Sequence, residues 1–412
     1  MRSSRAWLAA LLLLPLAGCT GGAESSQDPA PVTLSRRSAP AAGTDESLRG
    51  AALELVDERE QALQAGDREA FLSTVDPDEL GFSATQARWF DNLALLPVTD
   101  VSFDLGDETV MEEVSADGDL QLPVDFTMRL RGFDRLPVTQ RMVWTFVRSD
   151  DGVLLADDRN ARADRRTGWM PAPWDTVHIE VRRSGGILGI FDEETADHAD
   201  YVMSDLAEAT AAVRAHLPWW RGKYVVYGTS DVSAMAAMSA MTVDDTAGVA
   251  FPVLSRVGGP VAAYRIIVNP SVVQDVLSRG LVFRHELVHV ALATSDDASP
   301  VWLAEGAAEY VARTTYPVAQ RRLIAAQQLV GVRPHTLETG RLFYQRDPGR
   351  NYALAALVCD YLASTRGEDV LWDLMRSFAT GSAGGAEGVV EREVGLSTEE
   401  LSARALAWAR AG

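Results

Sequence analysis

The chain has 412 residues, which is longer than one average domain and suggests two. Hydrophobic residues make up 47% of it, enough for packed cores, so global disorder is not expected. The formal net charge of −20 argues against a nucleic-acid partner, because phosphate binding requires a basic face.

The first 18 residues have the pattern of an export signal. Two arginines precede the apolar run LAALLLLPLA, which is too short to span a bilayer, and the segment LAGC ends at Cys19. This ending resembles the bacterial lipobox, in which the Cys is lipidated and becomes the first residue of the mature protein. The resemblance implies an exported protein that faces outward and is anchored to the cell membrane by a lipid on Cys19. The alternative is an ordinary signal peptide with a chance Cys.

Residues 19–46 are small, polar and Pro-rich, which predicts a flexible tether between the lipid and the folded part. The only other cysteine, Cys359, lies in an apolar run, where a small buried thiol is expected. If Cys19 carries lipid, no intramolecular disulfide can form.

An α+β unit is predicted for residues 47–166. Two helix patterns come first, with Gly66 as the stop of one and Asp67 as the cap of the next. Four strand-like runs follow, VTDVSFDLG, LQLPVDFTMRLRGF, LPVTQRMVWTFVRS and GVLLADDR. The pattern resembles the nuclear-transport-factor-like cone fold. Because no catalytic constellation is visible here, we interpret the unit as an accessory domain.

Residues 174–412 are predicted to form a second domain, because Pro171 and Pro173 interrupt regular structure before it. Strand and helix patterns alternate up to Pro270, and the chain beyond it is nearly all helical in pattern. A small sheet followed by a helical half resembles the order in zincin-type zinc peptidases. The predicted fold class is therefore α+β, with a cone-like domain followed by a zincin-type metallopeptidase domain.

The strongest functional signal is the segment LVFRHELVHVALA, which places His285, Glu286 and His289 in an apolar run. Residues four apart lie on one face of a helix, so the two imidazoles can bind one Zn²⁺. Glu286 lies between them, where it can take a proton from metal-activated water as that water attacks a carbonyl. An unpartnered Glu would be costly to bury here, which favours a metal site over a core helix with chance polar residues.

A third metal ligand is expected from the segment SPVWLAEGAAEY. Ser299 is predicted to cap a second helix, with Pro300 in its first turn. Antiparallel packing of the two helices would bring the Glu305 carboxylate to the metal, completing a His₂Glu site with water as the fourth ligand. The metzincin pattern is excluded, because Ser295 stands where that pattern needs a histidine.

The segment HELVH (285–289), followed by WLAEG (302–306), resembles the gluzincin zinc metallopeptidases, the peptidase MA-like proteins related to the aminopeptidase and thermolysin families. The resemblance covers roughly residues 175–380. It implies that His285, His289 and Glu305 bind zinc and that Glu286 is the general base. Many aminopeptidases have Asn before the ligand Glu, where this chain has Ala304. That departure concerns recognition of an N-terminal amine and not zinc binding.

Further site residues are expected around these four. Glu309, one turn after Glu305, is placed to accept the free N–H of a zinc-bound histidine. Its alternatives are a surface carboxylate, or a metal ligand in place of Glu305. A Tyr or His of the helical half is expected to stabilise the oxyanion. Tyr352 is favoured because GRNYALAALVCDYL resembles a gluzincin segment. The alternatives are a core aromatic role for Tyr352, or Tyr344 or His335 as the donor.

The sequence thus predicts a zinc-dependent peptidase that hydrolyses a peptide or protein substrate and is lipid-anchored at the bacterial cell envelope. Residues 247–251 are predicted to be an edge strand, which in zincins pairs with the extended substrate. The alternative is a non-catalytic envelope lipoprotein, a binding or assembly module whose zincin-like half is structural. A fourth protein ligand would indicate the structural role, and an open position would indicate catalysis.

Overall fold

The computed structural model describes the chain in several ranges with gaps between them. These are residues 42–106, 113–114, 119–150, 152–162, 164, 171–231, 246–381 and 385–411. The predicted export signal, Cys19 and most of the predicted tether lie outside the described residues. In the described ranges, no helix is both long enough and apolar enough to cross a membrane.

Helices form the beginning of the described chain. The spacing of apolar residues predicts the first two of them, whereas the third was not predicted. They are α1 (Ala42–Ala65), α2 (Arg68–Ser73) and α3 (Leu80–Leu95). Gly66 ends α1 with a φ of 70°, a conformation that glycine adopts at low cost. The Asp67 side chain caps α2 by accepting a hydrogen bond from the Ala70 N–H at 3.0 Å. Both predicted roles are confirmed, whereas α1 begins at Ala42, inside the predicted tether.

An antiparallel sheet follows these helices. Its strands are β1 (Val98–Leu105), β2 (Glu113–Val114), β3 (Leu120–Leu130), β4 (Val138–Ser149) and β5 (Gly152–Asp157). They lie in the order β1-β3-β4-β5, and β2 pairs with β3. Val124 and Phe126 of β3 are buried with Leu55 of α1 and Leu93 of α3, because successive side chains of a strand point to opposite faces. The helices therefore pack on one face of this sheet.

The short helix α4 (Pro173–Thr176) precedes a second sheet, and α5 (Ala199–His216) packs on one face of it. The strands of this sheet are β6 (Glu180–Ser184), β7 (Ile187–Phe191), β8 (Tyr224–Gly228), β9 (Gly248–Leu254) and β10 (Val261–Val268). They lie in the order β6-β7-β8-β10-β9. The three central strands are parallel, and β6 and β9 pair antiparallel at the two edges. The edge strand predicted at residues 247–251 is confirmed as β9, whereas β7 was not predicted.

The two sheets share one hydrophobic core. Leu188 of β7 and Trp144 of β4 are buried in the same apolar cluster, on the face of the second sheet that points away from α5. A buried ion pair also joins the sheets, because Arg265 of β10 lies 2.5 Å from the Asp134 carboxylate, just after β3. The chain from Asp45 onward forms one compact unit. The predicted division into two domains stays a prediction.

Beyond β10 the described chain is helical, as predicted. The helices are α6 (Pro270–Gln274), α7 (Val276–Leu292), α8 (Thr294–Asp297), α9 (Val301–Arg313), α10 (Val318–Gln328), α11 (Leu342–Gln345), α12 (Pro348–Arg366), α13 (Asp369–Ala379), α14 (Gly385–Val394) and α15 (Thr398–Arg410). Helix α9 packs closely against both α7 and α12. This approach requires Gly306, since a Cβ there would lie 2.6 Å from the Ala355 carbonyl oxygen and 2.8 Å from the Cys359 sulfur.

The predicted α+β class is confirmed, because two sheets precede a separate run of helices. Cys359 is a free thiol and is fully buried against α9, in agreement with its predicted role as a small core residue. The fold thus brings α7, α9 and β9 together, and these three elements carry the candidate site.

Candidate metal centre

Helix α7 carries His285, Glu286 and His289. It is capped by Asp275, whose side chain accepts a hydrogen bond from the Leu277 N–H at 2.9 Å. Its side chains Phe283, Leu287 and Val288 are fully buried between the second sheet and α9. The three polar side chains of the motif are held in place by this packing.

Helix α9 carries Glu305 and begins differently from the prediction. Ser299 does not cap it, since its hydroxyl donates to the Ser295 carbonyl oxygen at 2.7 Å. The free N–H groups of the first turn are bound instead by a distant loop, and Trp302 N–H donates to the Glu338 carbonyl at 3.2 Å. The predicted cap is therefore wrong, because a tertiary contact satisfies the helix end.

Three side chains converge between α7 and α9. The Nε2 atoms of His285 and His289 lie 3.2 Å apart. Glu305 Oε2 lies 3.1 Å from the first of them and 3.6 Å from the second. Ligands at zinc distances of 2.0–2.1 Å and tetrahedral angles lie about 3.3 Å from one another. The three residues are therefore close enough to bind one metal ion.

The other ring nitrogen of each histidine is bound by a carboxylate. His285 Nδ1 lies 3.1 Å from Glu309 Oε1, and Arg313 binds the second oxygen of Glu309 at 2.5 Å. His289 Nδ1 lies 3.0 Å from Asp296 Oδ2. In these contacts each Nδ1 donates to a carboxylate, so both Nε2 atoms face the centre. Glu309 therefore lies behind His285, while Glu305 faces both histidines.

The electrostatics of the cluster favour positive charge at its centre. Burial lowers the pKa of His285, but its hydrogen bonds to Glu305 and Glu309 outweigh burial and raise the pKa to about 10. Burial raises the pKa of Glu305, but hydrogen bonds from His285 and His289 outweigh it and hold the pKa well below its ordinary value. The buried Glu305 carboxylate therefore stays ionised, as a metal ligand must be.

Glu286 lies beside this group and against β9. It is only 6% exposed. Burial raises its pKa above the ordinary value. A Cβ at Gly248 would lie 3.1 Å from Glu286 Cγ, so the glycine makes room for this side chain. The edge strand thus positions Glu286 directly.

Two tyrosines of the helical half reach the site. The Tyr344 hydroxyl donates to Glu305 Oε1 at 2.5 Å, so it holds the carboxylate oxygen that faces away from the histidines. The Tyr352 ring lies 6.2 Å from the His285 ring, centre to centre, and packs on Phe343. Burial and the nearby Glu305 raise the pKa of both tyrosines, so both hydroxyls keep their protons.

His335 does not join the site. It is exposed, and its Nδ1 binds the Arg333 carbonyl oxygen within the same turn at 2.9 Å.

The sequence analysis did not identify Asp296 and Arg313. Asp296 binds His289, and Arg313 binds Glu309, the partner of His285. Arg313 follows Glu309 by one helical turn, and that spacing is a usable signal for such a pair.

Comparisons with known proteins add no identification, since no protein-family model matches the chain and no curated protein matches it by sequence.

Proposed function

We propose that the chain is a zinc-dependent peptidase of the gluzincin type, with residues 174–412 as its zincin-type domain. The observation that carries this proposal is the convergence of His285, His289 and Glu305 at the spacing of a tetrahedral zinc site. Among the described residues the group contains no fourth His, Cys, Asp or Glu. That composition favours a catalytic site over the structural zinc of a non-catalytic lipoprotein.

Glu286 performs the proton chemistry in this proposal. Zinc bound at the group supplies a Lewis acid that polarises a carbonyl oxygen and lowers the pKa of water. The Glu286 carboxylate accepts the proton of the attacking water and returns it to the nitrogen of the leaving amine. The Glu286 side chain packs against Gly248 of β9, and this contact preorganises its carboxylate for both transfers.

Tyr352 and β9 complete the proposed site. The Tyr352 hydroxyl keeps its proton and serves as the donor to negative charge that develops on the carbonyl oxygen. Tyr344 is engaged with Glu305 and therefore positions a ligand. The outer edge of β9 offers backbone groups to an extended peptide or protein substrate, which would align its carbonyl with Glu286.

The test compares three forms of the full-length protein purified in detergent: the wild type, Glu286→Gln and Glu193→Gln. Glu193 is exposed and serves as the matched control. We expect about one zinc per chain in all three. Cleavage of a degenerate peptide library should fall at least about 100-fold in Glu286→Gln alone. A wild type without stoichiometric zinc would overturn the proposal. Bound zinc with equal cleavage by Glu286→Gln would remove Glu286 from the mechanism.

We also propose that the protein is exported and held at the outer face of the cell membrane by a lipid on Cys19. The support is the export pattern of the first 18 residues and their LAGC ending. In a bacterial host, Cys19→Ala should move the protein from the membrane fraction to the soluble fraction and abolish labelling by a fatty acid. Membrane retention of the variant, with unchanged labelling, would contradict the anchor.

A further inference from the structure

The helix that carries both histidines ends in a strained turn. Ala293 follows α7 with φ 51° and ψ −123°, a conformation that residues with a Cβ rarely adopt. Its N–H still closes the last turn of α7 by donating to the His289 carbonyl oxygen at 2.8 Å. The short helix α8 then folds back toward His289. Strain of this kind persists only where the surrounding contacts require it.

The contact made by this turn is between Asp296 and His289. Asp296 Oδ2 accepts a hydrogen bond from His289 Nδ1 at 3.0 Å, and the two side chains are 15% and 14% exposed. The other oxygen, Asp296 Oδ1, is buried and has no hydrogen-bond partner in the described part of the chain. The carboxylate therefore directs its one hydrogen bond at the histidine.

The two histidines are held unequally. His285 is held by Glu309, which also binds Arg313 at 2.5 Å and so shares its charge with a cation. Asp296 forms no ion pair with Lys or Arg among the described residues. A carboxylate that binds one histidine alone orients the ring and increases the basicity of its other nitrogen more strongly.

We propose that Asp296 is a positioning residue that turns His289 Nε2 toward the metal, and that the turn at Ala293 brings it there. This inference rests on the proposed zinc site. Asp296 touches neither metal nor substrate and acts through His289. Its loss should therefore appear first in metal affinity and in the geometry of the bound ion.

The experiment uses the full-length protein and four forms of it: the wild type, Asp296→Ala, Asp296→Asn and Asp297→Asn. Asp297 is the matched control, because it is exposed and accepts a hydrogen bond from Tyr264 instead of a histidine. Zinc affinity is measured by competition with a chelator, and Co²⁺ is added separately to record the visible absorption bands. Thermal unfolding of the zinc-free forms reports the fold.

We expect Asp296→Ala to weaken zinc binding about 10- to 100-fold and to shift the Co²⁺ bands. Asp296→Asn keeps an acceptor for Nδ1 and should lose less affinity, and Asp297→Asn should match the wild type. If Asp296→Ala does not fold, the comparison of the two Asn variants decides. Unchanged affinity and bands in the Asp296 variants, with a wild type that binds zinc, would overturn this inference alone. A wild type that binds no zinc would overturn the proposed function.

Discussion

Two of the buried clusters of charged side chains in the described residues differ in how their polar groups are arranged. Around Arg59, donors and acceptors alternate. The guanidinium donates to Thr74 Oγ1 at 2.8 Å and to Gln86, whose amide nitrogen donates to Asp158 at 2.8 Å. Around Glu305, two histidine nitrogens lie 3.2 Å apart and face the same carboxylate oxygen.

The first cluster contains its own cation, Arg59. The second contains three side chains that are close enough to bind a cation. Arg59 is 1% exposed and lies 3.7 Å from the centre of the Phe71 ring. Burial lowers its pKa to about 9, although the charge of Asp158 opposes this effect. In the second cluster the ligand atoms converge on one point, as metal ligands do. Substitutions in the first cluster should therefore change stability, and those in the second should change metal binding.

The largest expected effect is the response to zinc. At about 1,000 times Kd, zinc should add about 4 kcal/mol to the free energy of unfolding, because the unfolded chain does not hold the ligands together. His285→Ala should abolish this increment, and Arg59→Met should keep it in full. Urea unfolding of each variant with and without zinc measures the increment. An increment in His285→Ala equal to that of the wild type would place the bound zinc elsewhere.

The next largest effect is expected from Arg59→Met in the absence of zinc. The substitution removes the buried charge at similar volume, and with it one of the two arginine charges that act on Asp158, the other being that of Arg159. The free energy of unfolding should fall by about 3 kcal/mol. The control is Arg68→Met, which breaks an exposed pair with Asp91 and should cost less than about 1 kcal/mol. Equal losses in urea unfolding would mean that the cluster contributes no more than a surface pair.

Gly306→Ala tests the close packing beside the metal ligand. The new Cβ would lie 2.6 Å from the Ala355 carbonyl oxygen, and backbone cannot yield easily, so α9 must move. We expect a loss of about 2 kcal/mol in stability and weaker zinc binding, because Glu305 moves with the helix. Gly388→Ala is the control, since no atom lies within 4 Å of its Cβ. Wild-type zinc affinity in Gly306→Ala would show that α9 does not need this contact to place its carboxylate.

Gly248→Ala should affect turnover and leave metal binding unchanged. The added Cβ displaces Glu286 by a few tenths of an ångström, and small misplacements of a reacting group are costly, so kcat should fall about tenfold. Gly280→Ala on α7 is the control, because its Cβ would make an ordinary contact at 3.5 Å. Steady-state cleavage of a library-derived peptide, together with the zinc affinity, measures both quantities. An unchanged kcat would contradict the role of β9 in holding the base.

Much of the fold could be predicted where local pattern determines structure. Apolar spacing located α7 and α9, and Gly66 and Asp67 located a helix end and the next helix start. The missed strand, β7, shows no alternation of polar and apolar positions, because its five residues are all buried, and Gly189 at its centre interrupts the apolar run that identified β8. The hydrophobic core that the two sheets share was not predicted either, because a sequence does not show which element packs on the second face of a sheet.

The candidate site was also predicted where local sequence determines geometry, and not where tertiary packing does. The spacing of His285 and His289 follows from helix geometry, and a second helix with a Glu made Glu305 the expected third ligand. The role of Asp296 was not predicted, because its contact with His289 depends on the positive φ of Ala293. Alanine rarely adopts a positive φ, so the sequence contains no signal for this turn. Tyr352 as the oxyanion donor stays a prediction, and the contact of the Tyr344 hydroxyl with Glu305 was not predicted, because side-chain direction depends on tertiary packing.

A pH-dependent effect is expected from a carboxyl group that, unlike Glu305, is held by uncharged donors. Asp175 accepts hydrogen bonds from the Trp89 indole at 3.0 Å and from the Ala172 N–H at 2.9 Å. Burial outweighs these bonds and raises its pKa from 3.8 to about 6.

Between about pH 4 and about pH 6 the folded chain retains a proton on Asp175 that the unfolded chain has released. The contribution of Asp175 to stability is therefore lost as the pH rises. Asp175→Asn cannot titrate and lacks this loss. The stability of the variant minus that of the wild type should therefore increase from about pH 4 to about pH 6 and level off above it. Urea unfolding of both proteins across this range measures the difference, and a difference independent of pH would show that Asp175 titrates alike in the folded and unfolded chains.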